Sequence, residues 1–237
     1  MKFCAVIPCY NHGGSLGKVL SGLPAGLPAI VVDDGSDTAV EAPGAGLVRF
    51  KKNRGKAEAL RAGFAKAAEL GFTHAITLDA DGQHAPERAE DFMRLARGRP
   101  GAIIAGVRDF SRPEIPERRR FMNRFSNFWF RFETKIELAD TQCGYRAYPL
   151  ELVGRLRLGC SRYAYEAEIL VKAAWAGAEI IPLEVPTIYT EESTRNSRYR
   201  PFRDTALISL MNTRLSFMAA FFPKSLRRRL AARGKNA

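Results

Sequence analysis

The sequence predicts an α/β fold: a mainly parallel central sheet flanked by helices, with a C-terminal amphipathic basic segment. Three observations lead there. Short apolar runs alternate with helical patterns through the first hundred residues, the signature of strand–helix–strand units. Clusters of Asp, Asn and Gly follow several of those runs directly. The end of the chain joins an apolar helix to a group of Arg and Lys residues.

Taken in order, strands are expected at 3–7, 29–33, 47–50, 75–78 and 102–106, with helices near 14–21, 55–70 and 86–98. The helix at 55–70 carries a small-residue core stripe (Ala57, Leu60, Ala62, Phe64, Ala65, Ala67, Ala68), and Gly71 stops it. After Gly106 the character changes. Residues 112–137 combine six arginines with six aromatics and read as a helix from Pro116 onward. A helix at 164–176 precedes a strand at 179–185. The apolar segment 206–222 is broken by Asn212 and Arg214 and runs into Pro223 and the basic end. With no internal repeat and no low-complexity linker, the expected division is one domain over 1–203 and a membrane-associating appendage over 204–237.

Composition narrows the class. Of 237 residues, 46% are hydrophobic and 26% charged, which excludes disorder and collagen-like sequence. Four cysteines without C-x-x-C spacing indicate neither a zinc ribbon nor a redox pair, and fit a reducing, cytosolic setting. The N-terminal apolar run is too short for a signal peptide, and no run of about 18 apolar residues predicts a membrane span. The net charge of +12 is local: residues 1–100 hold 13 basic and 11 acidic side chains, residues 101–237 hold 24 and 14. From Met218 onward there are six basic residues and no acid. Such an end binds nucleic acid, binds anionic lipid or is simply solvated.

In open α/β sheets ligands bind beyond the C-terminal ends of the parallel strands. Polar residues gather there three times: Pro8-Cys9-Tyr10-Asn11-His12, Asp33-Asp34-Gly35-Ser36 and Asp79-Ala80-Asp81-Gly82-Gln83-His84. Asp79 and Asp81 can face one hard cation whose shell is completed by pyrophosphate, which implies Mg2+ or Mn2+; otherwise the stretch is a polar turn. A calcium loop ending at Glu90 is rejected because its glycine is displaced and Pro86 interrupts it. Asp33–Ser36 reads either as a helix cap or as a ligand contact. Asn53-Arg54-Gly55-Lys56 opens a helix whose amides favour an anion, but lacks the Walker spacing. No G-x-G-x-x-G follows a strand, and no Gly-rich pyrophosphate loop of a nucleotidyltransferase follows the first.

These segments, followed in order by Asp140-Thr141-Gln142-Cys143-Gly144-Tyr145-Arg146 and Tyr165-Glu166-Ala167-Glu168, resemble the family 2 glycosyltransferases of GT-A fold. Within them the chain is most similar to the dolichyl- and polyprenyl-phosphate sugar synthases, over about residues 3–200. The resemblance implies an inverting transfer from a nucleotide-diphosphate sugar (a GDP- or UDP-sugar) to a lipid-linked, polyprenyl-phosphate-like acceptor. Pro8, Tyr10, Asn11, Asp34 and Lys56 would border the donor, and Asp33 would support the turn. Asp79 and Asp81 would bind both metal and donor, Asp81 counting with Asp140 as catalytic, and Gln83 would be a further metal ligand.

Asp140 would act as catalytic base or as a scaffold for the turn that follows. A hydroxyl acceptor needs a base, whereas a phosphate is already anionic. Arg108, Arg119, Arg120, Arg146 and Arg198 would handle acceptor phosphate, since guanidinium donates two hydrogen bonds at once. The chain departs from the subgroup at His12, where Glu is common. It departs again at 191–198, where only Ser197-Arg198 resembles the usual Arg and Gly-x-Ser-Lys ending.

The aromatics of 112–137 either fill a core or lie at a lipid headgroup layer beside their arginines. The expectation is peripheral attachment to the inner face of the cytoplasmic membrane. Transfer to a lipid or glycan hydroxyl is the alternative. A nucleic-acid-binding domain is more remote, because it leaves the acidic strand ends unexplained.

Overall fold

The computed structural model describes residues 1–112, 115–186 and 201–233, the last stretch with side chains from Asp204. Seven strands form one sheet: β1 (Phe3–Cys9), β2 (Ala29–Asp33), β3 (Gly46–Arg49), β4 (His74–Thr77), β5 (Ile103–Val107), β6 (Arg146–Pro149) and β7 (Ile180–Glu184). Their spatial order is β3-β2-β1-β4-β6-β5-β7. β6 alone runs antiparallel, between β4 and β5; the other pairings are parallel. The chain winds outward from β1 through β2 to β3, then crosses back to β4 on the other side of β1. The C-terminal end of β1 is thus a topological switch point, the crevice where open sheets bind ligands.

Alternation along the strands builds two cores, because successive side chains point to opposite faces. Cys4, Val6, Ile30 and Val32 face α2 (Lys56–Glu69) and α6 (Ala164–Ala176). Ala5, Ile7, Ala29 and Val31 face α1 (Gly13–Ser21) and α3 (Ala89–Gly98). In α2, Ala65 and Ala68 of the expected stripe point to solvent, and Ala59 and Gly63 take their places. Gly63 packs so closely that an added Cβ would come within 2.4 Å of Val6. The helix ends where expected, with Gly71 at φ +77°.

The second half departs more from expectation. α4 (Glu117–Thr134) forms as foreseen, but β6 and the short α5 (Leu150–Arg155) had no clear sequence signal. α7 runs from Pro201 to Phe221, so the expected boundary at 203/204 falls inside a helix. α8 (Lys224–Ala231) follows Pro223. Met211, Leu215 and Met218 of α7 and Ala231 of α8 join the same core as β1 and α2. These helices pack on α4 and α6.

Candidate active site

The strand ends expected to carry chemistry do converge on one edge. At the end of β1, Asn11 adopts φ +57°, a left-handed conformation Asn tolerates. Its amide donates to Ser36 Oγ (2.9 Å), and its side chain exchanges two hydrogen bonds with Asp37. Of the two readings of this stretch the helix cap drops out, since Ser36 and Asp37 begin no helix. Asp33 ties the turn to itself: its Oδ1 accepts the Ser36 amide at 2.9 Å, and Arg49 lies 3.3 Å from Oδ2.

Asp34 turns inward. Its carboxylate accepts the backbone amides of Arg54 (2.7 Å) and Gly55 (2.8 Å) and the side chain of Asn53 (3.1 Å). Burial raises its pKa against the pull of those amides. Gly35 makes the approach possible, because a Cβ there would come within 2.4 Å of the Lys52 carbonyl carbon. Asp34 therefore orders the loop that opens α2.

Lys56, in the first turn of α2, sits between two carboxylates. Its Nζ is 2.7 Å from Asp79 Oδ1 and 3.1 Å from Glu166 Oε2. Burial disfavours the ammonium, yet the two carboxylates outweigh it and hold the pKa above that of an ordinary lysine. At Asp79 burial is likewise outweighed, by Lys56, His84 and Arg108, and the carboxyl is held low. Asp81 goes the other way: burial and the neighbouring Asp79 charge raise it, and its Oδ1 accepts the Gln83 amide at 2.9 Å.

Two neighbouring carboxylates, with their second oxygens unbonded among the described residues, form a donor set for a hard divalent cation. Among the described residues no third His, Cys, Asp or Glu completes a protein-only site. The residues thus fit a metal shared with substrate oxygens. His84 lies buried beside them, its Nδ1 without a partner, and burial lowers its pKa to about 4.

Two participants escaped the sequence reading. Glu166 lies in the first turn of α6, aimed at Lys56. Glu168, two residues on and so on the far side of the helix, instead pairs with Lys172 at 2.7 Å and accepts the Gly159 and Cys160 amides. The Tyr-Glu-Ala-Glu segment was visible, but nothing in it separated the two roles. Gly144 is the second. A Cβ there would lie 3.0 Å from Lys56 Nζ, 3.1 Å from Asp79 Oδ2 and 3.2 Å from Glu166 Oε1.

Asp140 is fully buried. Arg108 binds it through Nε (2.6 Å to Oδ2) and Nη2 (3.1 Å to Oδ1), and the amides of Arg108 and Gln142 add two more bonds. The polar face of α4 fixes the segment around it: Asn123 and Asn127 donate to the Ala139 carbonyl, and Asn127 accepts the Thr141 amide.

The arginines expected at the acceptor divide. Arg108 is committed to Asp140 and keeps an 18% exposed side chain. Arg119 and Arg120 stand in the first turn of α4, Arg120 bonded to the Ile115 and Arg112 carbonyls. Arg146 is a correction. It is 1% exposed and spent on the carbonyls of Thr141 and Glu166 and the Tyr148 hydroxyl, so no acceptor reaches it. Arg198, with the rest of 187–200, lies outside the described residues. Pro8 and Tyr10 stand half-buried at the C-terminal end of β1.

The remaining aromatics resolve one open question. Phe130 is core, whereas Phe121 (57% exposed), Phe125, Phe128 (58%) and Phe132 face outward from α4. They join Trp129 in a chain of ring contacts with centroids 5.3–6.2 Å apart.

Comparison with known proteins agrees with this geometry. The family model described as glycosyl transferase family 2 matches residues 4–156. The undecaprenyl-phosphate mannosyltransferase of Micrococcus luteus is 26% identical over 84% of this chain and 87% of its own. The polyprenol monophosphomannose synthase of Mycolicibacterium smegmatis is 27% identical over 78% of this chain and 76% of its own. Glucosyl-3-phosphoglycerate synthase from Mycobacterium tuberculosis, solved with Mn2+, uridine diphosphate and phosphoglyceric acid, shares the fold with a TM-score of 0.67 at 16% identity. That alignment covers 94% of this chain and 79% of the synthase. A GT-A sheet with its acidic strand ends gathered at the switch point, in a chain that the family model spans from β1 to the end of α5, makes this protein a glycosyltransferase of family 2.

Proposed function

We propose that the protein moves a sugar from a nucleotide-diphosphate donor to a polyprenyl-phosphate-like lipid, with inversion at the anomeric carbon. The observation that carries this reading is Asp140. A hydroxyl acceptor needs a base within hydrogen-bond reach of its proton. The one carboxylate expected to serve has no exposed surface and four hydrogen bonds already made. A phosphate monoester is largely ionised at neutral pH and needs no such base. The names of the two lipid-phosphate relatives support the same acceptor class.

In this reading the donor lies over the β1 crevice, its nucleotide bordered by Pro8, Tyr10 and Asn11. Asp79 and Asp81, with Gln83 beside them, would hold Mg2+ or Mn2+, which would supply positive charge to offset that growing on the departing nucleoside diphosphate. Lys56 and Glu166 hold Asp79 in place. An acceptor phosphate oxygen attacks the anomeric carbon from the face opposite the donor phosphate. The bond to the nucleoside diphosphate breaks as the new one forms. Arg119 and Arg120, at the positive N-terminal end of α4, would receive the acceptor phosphate.

The outward aromatics of α4 and the C-terminal helices then rest on the inner face of the cytoplasmic membrane. Among the described residues no helix is long and apolar enough to cross one.

The test is a transfer assay with polyprenyl phosphate and the matching polyprenol. It follows a thermal-shift screen of GDP- and UDP-sugars with Mn2+ that selects the donor. Product on the phosphate alone is expected; comparable transfer to the polyprenol overturns the reading.

A further inference from the structure

We propose that a second lipid contact, remote from the donor site, lies where α5, α6 and α8 meet: a cleft that takes the phosphate of an anionic membrane phospholipid, with its acyl chain in the apolar groove alongside. Five arginines (Arg155, Arg157, Arg228, Arg229 and Arg233) line the cleft, which measures about 420 Å³ and includes no acidic residue in its lining. Their convergence is fixed by backbone. Leu156 and Ala232 form an antiparallel bridge, the Arg157 amide donates to the Ala231 carbonyl (2.8 Å), and the Arg233 amide donates to the Arg155 carbonyl (2.9 Å). Arg155 alone has a carboxylate partner, Glu151 at 3.1 Å, and its Nε is buried without any partner. The guanidiniums of Arg157, Arg228, Arg229 and Arg233 make no ion pair or hydrogen bond among the described residues. The ends of α6 and α8 favour cations nearby, but the described residues supply no anion for four of the five.

The adjoining groove decides which anion. It measures about 660 Å³, and Arg157 lines both spaces. Its apolar walls include Leu210, Phe217, Met218, Phe222 and Leu230, with Leu210 69% and Phe217 56% exposed. A free phosphate has no use for such walls, whereas a phospholipid presents a phosphate and a hydrocarbon chain together. The cleft is distinct from the donor site. Ala176 on its floor lies ten residues beyond Glu166 on α6, about 15 Å at the helical rise. The inference deepens the membrane reading above and rests on it only in that the protein meets a bilayer.

Flotation of the full chain tests it, using vesicles of phosphatidylcholine alone and of phosphatidylcholine mixed with phosphatidylglycerol. The wild type should prefer the anionic vesicles at low salt. R157Q/R229Q should lose that preference, with about thirtyfold weaker binding to them, unchanged transfer to a water-soluble short-chain acceptor and an unchanged melting temperature. R157K/R229K should restore most of the preference. F121S/F128S on α4 should weaken binding to both vesicle types alike, which separates general membrane attachment from this site. Wild-type preference in R157Q/R229Q overturns the proposal. So does stabilisation by millimolar inorganic phosphate in a wild type that floats with neither vesicle, which would make the cleft a site for a soluble anion.

Discussion

Arg108 grips Asp140 with two prongs, Nε 2.6 Å from Oδ2 and Nη2 3.1 Å from Oδ1, on a carboxylate with no exposed surface. The pair joins the end of β5 to the segment that leads into β6. For Asp140→Asn, transfer to a phosphate acceptor should fall by no more than about tenfold, with the pH–rate profile keeping its shape. A base removed from the reaction costs about 10²–10⁴-fold and takes its limb of the profile with it. Steady-state kinetics across pH distinguishes the two.

Removing the other partner should act on the fold. Arg108→Leu leaves Asp140 buried and unpaired, a change that costs about 3–5 kcal/mol for a buried ion pair. Urea denaturation should show a lowered midpoint, and Arg108→Lys should recover part of it.

Asp81→Ala should abolish measurable transfer while the circular dichroism spectrum stays native. A Lewis-acid metal contributes several kcal/mol, so the expected loss is about 100-fold or more. Mn2+-dependent stabilisation by the donor should vanish in the same variant. Retained turnover would remove the metal assignment.

Gly144→Ala adds one carbon at the point where Lys56, Asp79 and Glu166 meet, 3.0–3.2 Å from each. Those groups must shift by a few tenths of an ångström. Misplacement of that order near the reacting atoms costs about 10- to 100-fold in rate, with a small change in melting temperature. Kinetics and calorimetry on one preparation check both halves.

Glu133 gives the C-terminal helices a pH dependence. It is 1% exposed on α4, and burial raises its pKa to about 8 despite the Ser216 hydroxyl that donates to it at 3.1 Å. Trp175 of α6 and Arg227 of α8 both donate to its backbone carbonyl. Below the ordinary carboxylate range the group is neutral folded or unfolded. Between that range and about pH 8 the unfolded chain releases a proton that the folded one keeps, so stability falls as pH rises through this window. Glu133→Gln should flatten the fall, as read by melting temperature from pH 5 to 9.

What could be read in advance follows from where the information sits. The strands of the first half announced themselves as apolar runs, and the paired carboxylates by their place just past β4. β6 did not, because a four-residue strand holding a buried arginine and ending in proline has no local signature. Arg146 is tolerable inside only because two carbonyls and the Tyr148 hydroxyl receive it. The pairing of Lys56 with Glu166 likewise depends on α2 and α6 packing on the same face of the sheet. On α4 the spacing of Phe121, Phe125, Phe128 and Phe132 fixes a shared face, but only the packing tells whether that face is covered.

The reversed direction of β6 has a consequence for how the protein tolerates change. Parallel strands reach the reactive edge as they leave the sheet, so their following loops carry chemistry. β6 begins at that edge, with Arg146 beside Thr77, and ends at the far one, with Pro149 beside His74. The stretch between Leu138 and Tyr145 is therefore the approach to a strand, held at a length that sets Asp140 on Arg108 and Gly144 on Lys56. One residue gained or lost there shifts both anchors in register, whereas the same insertion beyond Arg155 reaches neither.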